Sequence, residues 1–164
     1  MINKSNNFAY IDGANLDQAL RNSLGWKLDY KRFRIWLLEK YGVQKAFIFI
    51  GFIPRYQYLY NYLECSGFIL VYKEVVFNRQ GIAKGNCDAE LVLQSVIDFF
   101  EQRFEKAIIV SSDGDYACLA NYLLSKSKLE VIISPAIQRR CSILLRRVTR
   151  KIVYLDDKKQ ILSA

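Results

Sequence analysis

The stretch VSSDGDY, residues 110–116, sets two aspartates, Asp113 and Asp115, two positions apart with a glycine between them. They follow the apolar run Ala107-Ile108-Ile109-Val110, which reads as a strand. Carboxylates crowded at the end of a strand repel one another. A helix N-terminus, a basic side chain or a metal ion has to compensate. Two more acids stand in similar settings. Asp12 closes a strand-like run in YIDGANL, and Asp88 opens a helical pattern in KGNCDAEL. In an open parallel sheet, ligands bind in the crevice beyond the carboxyl ends of the strands. Three regions of the chain are therefore expected to deliver acids to one rim. Taken singly, Asp12, Asp88 and Asp113 each read as helix caps. As a set with Asp115 they exceed what helix starts require, and hard oxygen ligands suit Mg²⁺ or Mn²⁺. The compensating charge is expected to be an ion.

Composition narrows the chemistry. The chain contains no histidine. That removes His-based acid–base catalysis, Ser-His-Asp and Cys-His nucleophiles, and His-ligated zinc. Any catalysis rests on carboxylates, hydroxyls, lysine or a bound ion. Lys plus Arg is 24 against 16 Asp plus Glu, a net charge of +8, which favours a polyanionic partner or an acidic surface, with an ordinary basic protein as the alternative. Cys65, Cys87, Cys118 and Cys141 match no zinc or redox spacing and read as reduced, buried thiols. No segment approaches the roughly 18 apolar residues of a membrane span. The N-terminus lacks the apolar core of a signal peptide, so a cytoplasmic location without membrane contact is expected.

The elements that must position these acids alternate along the chain. Residues 8–12, 46–52, 68–77, 106–112, 129–134 and 152–155 read as strands, most of them apolar throughout, as in a sheet buried on both faces. Helices are expected near 14–23, 30–41, 55–66, 87–103, 115–126 and 136–149, and a loop over 78–86. This alternation predicts an α/β fold, a mainly parallel central sheet with helices on both faces. With 164 residues, 52% of them hydrophobic, the chain suits one domain over 1–164, its core at about 8–155, and a tail over 156–164 expected to fray. In the segment AIQRRCSILLRRVTRKI, a continuous helix would put Arg139, Arg146 and Arg150 on one face, a solvated stripe or a phosphate-contacting one. Of Tyr56, Tyr58, Tyr60 and Tyr62, some could stack on bases, but strict alternation keeps all four from sharing a helical face.

IDGANL, KGNCDAELVLQ and VSSDGDYACL, in that order over residues 8 to about 134, resemble the NYN domain family, LabA-like and PIN-like nucleases. The resemblance implies a Rossmann-like PIN fold and metal-dependent RNA cleavage. It implies that Asp12, Asp88 and Asp113 hold the metal, with Asp115 a fourth acid and Asn15 the site asparagine. Two positions depart from the family pattern. Asn86 and Cys87 both separate Lys84-Gly85 from Asp88 where one residue is usual, and Ser112 stands where glycine is common. Phosphodiester hydrolysis fits the same residues independently, because a carboxylate-held ion supplies both the nucleophile and charge neutralisation. Asp115 could then orient the attacking water, Asn15 could position it or a phosphate oxygen, and Lys84 could steady the phosphate. RNA is the expected partner; a homodimer is left open. The competing reading is an RNA-binding module on the same fold with little or no catalysis. An aspartyl phosphotransferase would want a second Asp where Ala14 stands, and no G-x-G-x-x-G follows the first strand for a dinucleotide.

Overall fold

A computed structural model describes residues 5–164, with the backbone alone described for Ala83 and Lys84. Strands β1 (Asn7–Asp12), β2 (Val43–Phe52), β3 (Ile69–Glu74), β6 (Ala107–Val110), β7 (Leu129–Ser134) and β8 (Ile152–Tyr154) form one six-stranded parallel sheet in the order β3-β2-β1-β6-β7-β8. The chain winds outward from β1 to β3, then returns to β6 beside β1 and winds outward the other way. The order therefore reverses between β1 and β6, and a crevice opens beyond their carboxyl ends.

Helices α1 (Gly13–Ala19), α2 (Tyr30–Tyr41), α3 (Gln57–Cys65), α4 (Asp88–Phe100), α5 (Ala117–Ser125), α6 (Ile143–Val148) and α7 (Lys159–Leu162) cover both faces. The period of two in β1 divides its side chains between two cores. Ala9 and Ile11 pack with Leu16, Phe33, Leu37 and Leu63 on one side, while Phe8 and Tyr10 pack with Leu91, Leu119 and Leu123 on the other. The central strands are fully covered: all six residues of β1 and all four of β6 are buried. No helix among the described residues is long and apolar enough to cross a membrane.

Five details depart from the sequence reading. The run 68–77 is not one strand. It breaks at Val75, and the short β4 (Val76–Phe77) turns away to pair antiparallel with β5 (Ala83–Lys84), inside what reads as a loop. Helix α1 ends early and continues as one wide π turn, Leu20–Leu24, closed by Gly25 at φ 65°. The arginine-rich segment is not one helix either. A 3-10 turn over Gln138–Arg140 precedes α6, because Cys141 and Ser142 are extended and Ser142 caps α6 through Leu144 N–H. Arg139 and Arg150 are exposed, but no common helical face joins them to the half-buried Arg146, whose Nε is buried without a partner. The tail is packed rather than frayed: Leu155 and Leu162 are fully buried, and Ser163 bridges to Leu28. Two of the four thiols, Cys65 and Cys118, are exposed instead of buried.

Candidate active site

Asp12 is the last residue of β1 and caps α1 by accepting from Asn15 N–H at 3.0 Å. Its neighbour Gly13 allows the helix to start so close to β2: a Cβ there would lie 2.7 Å from the Phe49 carbonyl oxygen. Across the switch point, β6 ends at Val110, and Asp113 caps the 3-10 turn Gly114–Tyr116 by accepting from Asp115 N–H at 3.0 Å. The cap expectation thus holds for both. It uses only one oxygen of each carboxylate, and for Asp113 the other is left for the rim.

Asp88 is different. It is the first residue of α4, and it does not cap that helix. Asn86 accepts from Asp88 N–H at 3.0 Å and donates its own amide to Asp88 Oδ2 at 2.7 Å. The additional residue in this segment therefore supplies a clamp for the carboxylate, and Asp88 still reaches the rim. Asp88, Asp113 and Asp115 each bring one oxygen to within 4.8 Å of the others. An all-oxygen set of three carboxylates fits a hard divalent ion. Asp12 does not belong to that close group.

Tyr116 connects Asp12 to it. This ring is buried, and its hydroxyl donates to Asp88 Oδ1 at 2.6 Å while lying 3.1 Å from Asp12 Oδ2. Burial, the Asp12 charge and the bond to Asp88 all push the phenol far above its ordinary value, so it stays protonated. One phenolic proton cannot fully serve two carboxylates. Asp12 carries the deficit. Its pKa is raised, first by burial and further by the charges of Asp88 and Asp113, against the opposing bonds from Asn15 and Tyr116. Sequence reasoning missed Tyr116. The only signal for it is an aromatic residue directly after the DGD turn.

A carboxyl that binds its proton more tightly when folded contributes stability below its unfolded pKa and loses it as pH rises through the folded value. In chelator at neutral pH, Asp12→Asn is therefore expected to be more stable than the wild type, since asparagine keeps the cap and can donate to Tyr116. The advantage should shrink as pH falls toward the ordinary aspartate value of 3.8. Urea unfolding of both proteins across that range measures it. An advantage that does not change with pH would mean that the Asp12 charge is not the cause.

The remaining residues singled out in the sequence divide into those at the rim and those elsewhere. Asn15 accepts from both Ser112 N–H at 2.9 Å and the Ser112 hydroxyl at 3.0 Å, tying α1 to the segment after β6. Ser111 accepts from Asp113 N–H at 3.1 Å. Thus Ser112, in place of the family's glycine, fixes the asparagine. Lys84 has its backbone in the hairpin, and its side chain lies outside the described residues. Arg140 donates to Asn22 O and Ser23 Oγ, and with Asn15 and Ser112 it lines a small second cleft. The main cleft, about 490 Å³, runs from Asp12, Asp88 and Asp113 between α1 and α3.

This arrangement is that of a PIN-like nuclease fold with an acidic group at the switch point. The NYN domain matches residues 8–156, and the chain belongs to that family. Among solved structures it is similar to a protein of unknown function from Vibrio parahaemolyticus, with TM-score 0.77 and 21% identity over 99% of each chain, a likeness of fold. No curated protein is similar enough to match.

Proposed function

We propose that this protein is a metal-dependent ribonuclease that hydrolyses RNA phosphodiester bonds with Mg²⁺ or Mn²⁺. The observation that carries the reading is the convergence of Asp88, Asp113 and Asp115, from two separate elements, within 4.8 Å at the sheet's carboxyl edge. Carboxylates held that close without a cation repel. An ion bound there would activate water and neutralise charge on a phosphate. Asp88 and Asp113 are half-buried and oriented by Asn86 and by the cap, as ligands need to be. Asp115 is exposed, on the solvent side of the group, where it can also orient the attacking water. Asp12 acts from behind: it holds Tyr116, and Tyr116 holds Asp88. Asn15 has its oxygen engaged by Ser112, which leaves its amide nitrogen to donate to a phosphate oxygen or water.

RNA as the substrate is supported by the family and by the net charge of +8. Arg139 sits in the turn after β7, on the same sheet edge as the acids, and is a phosphate-contact candidate; Arg150 is exposed farther along. The reading is tested by incubating the pure protein with labelled single-stranded and structured RNA, with Mn²⁺ and with chelator. Cleavage is expected with the ion alone. RNA binding without cleavage under either condition would replace this reading with that of a binding module.

A further inference from the structure

We infer that the cleft between α1 and α3 is a binding pocket for one unstacked nucleobase of the substrate, with the attached phosphate at the acids; this rests on the nuclease reading above. A phosphate site needs charge and water. This cleft instead continues away from the acids into apolar ground, walled by Ile53, Leu59 and Leu63 and floored by Ile48 and Ile50. At about 490 Å³ it falls within the range of roughly 300–1,000 Å³ usual for small-ligand sites. An apolar slot that ends at a phosphate-binding edge suits a flat, apolar-faced group joined to a phosphate, which is a nucleotide.

Three features make the slot specific. Tyr56, Leu59, Tyr60 and Leu63 line it together, at the spacing that gathers residues on one side of a helix. The Tyr60 ring is buried and its hydroxyl is tied to Gly51 O and Ile53 N–H, so it belongs to the wall. Tyr56 is 36% exposed, and the Arg55 guanidinium lies 4.9 Å from its ring centroid and donates to its hydroxyl. It is the ring placed to stack on a base. Next, Val75 joins the lining because Gly51 and Gly85 leave room for it. A Cβ at Gly51 would lie 2.6 Å from Val75 Cγ2, and one at Gly85 would lie 2.9 Å from the same atom. Finally, Gln18 lines the same cleft and offers an amide donor and acceptor to a base edge. A base within a duplex has its faces covered, so only an unpaired nucleotide can enter.

The test uses 2-aminopurine ribonucleoside 5′-monophosphate as a fluorescent probe and ribose 5-phosphate as its base-free counterpart, both with Mg²⁺. Stacking should quench the probe on binding. Tyr56→Ala should weaken probe affinity by about tenfold, within the range known for loss of a base–aromatic stack. Tyr56→Phe should restore it, and neither change should alter ribose 5-phosphate binding. Equal affinity for probe and ribose 5-phosphate, or unchanged probe affinity in Tyr56→Ala, would overturn the base pocket. A Tyr56-dependent quench in a protein that cleaves no RNA would keep the pocket and remove the nuclease reading instead.

Discussion

Asp113→Asn and Asp88→Asn are each expected to lower Mn²⁺-dependent RNA cleavage by more than about 100-fold, beyond the 10–100-fold usual for an outer-shell residue. Both carboxylates belong to the close acidic group, and an amide is a poor substitute for an anionic oxygen beside a divalent ion. RNA binding in chelator should be largely kept, because no phosphate contact is removed. Asp12→Asn is expected to fall in the milder class, a loss of about 10–100-fold, because Asp12 reaches the group through Tyr116. Single-turnover cleavage assays rank the three variants. If Asp12→Asn proves as damaging as Asp113→Asn, Asp12 is itself a ligand and the close group is incomplete. If all three cut RNA at the wild-type rate, the site lies elsewhere.

Metal should also separate the wild type from Asp113→Asn in a melting experiment that requires no catalysis. In chelator at neutral pH the variant is expected to melt at least as high as the wild type. Asparagine can keep the cap on Asp115 N–H, and loss of the Asp113 charge relieves Asp12, whose pKa that charge helps to raise. At 100 times its Kd, one bound ion stabilises the wild type by about 2.7 kcal/mol, roughly 5–11 °C in Tm for a chain of this size. A variant that binds the ion 100-fold more weakly gains only about 0.4 kcal/mol at the same concentration. The order of melting temperatures should therefore invert on adding Mn²⁺. An aspartate that merely caps a turn predicts equal responses to Mn²⁺ in both proteins, and that result would remove Asp113 from the metal site.

These two experiments bear on a site only partly legible in the chain. The fold class was readable because the strands are buried on both faces, so their apolar runs are nearly unbroken. The caps at Asp12 and Asp113 were readable too, since an aspartate at a strand-to-helix junction has a local reason to be there, whereas Asp88 opens its helix without capping it. The sequence also placed Asp12, Asp88 and Asp113 beyond strand ends or at a helix start, and the parallel topology then carries all three to one edge. Where local pattern failed, a tertiary contact decided. The stretch 68–77 reads as one strand on apolar content alone, yet Val75 packs where Gly51 and Gly85 leave space, and the chain turns there into the hairpin. The segment 136–149 has a helical pattern, but Cys141 and Ser142 are extended, so the arginines do not share a stripe.

What the sequence determined by itself was the inventory: four acids, an asparagine, no histidine, an excess of positive charge, and the order of elements that carries the acids to one edge. Those are properties of residue types and local periodicity. Which acids gather closely was decided only by the tertiary structure. Asp115 joins Asp88 and Asp113, while Asp12 stands behind a buried tyrosine hydroxyl contributed by a residue 104 positions away. No local pattern encodes that distance. It is set by the pairing of β1 with β6 and by the packing of α4 against the turn after β6, and both bring together residues remote in the chain.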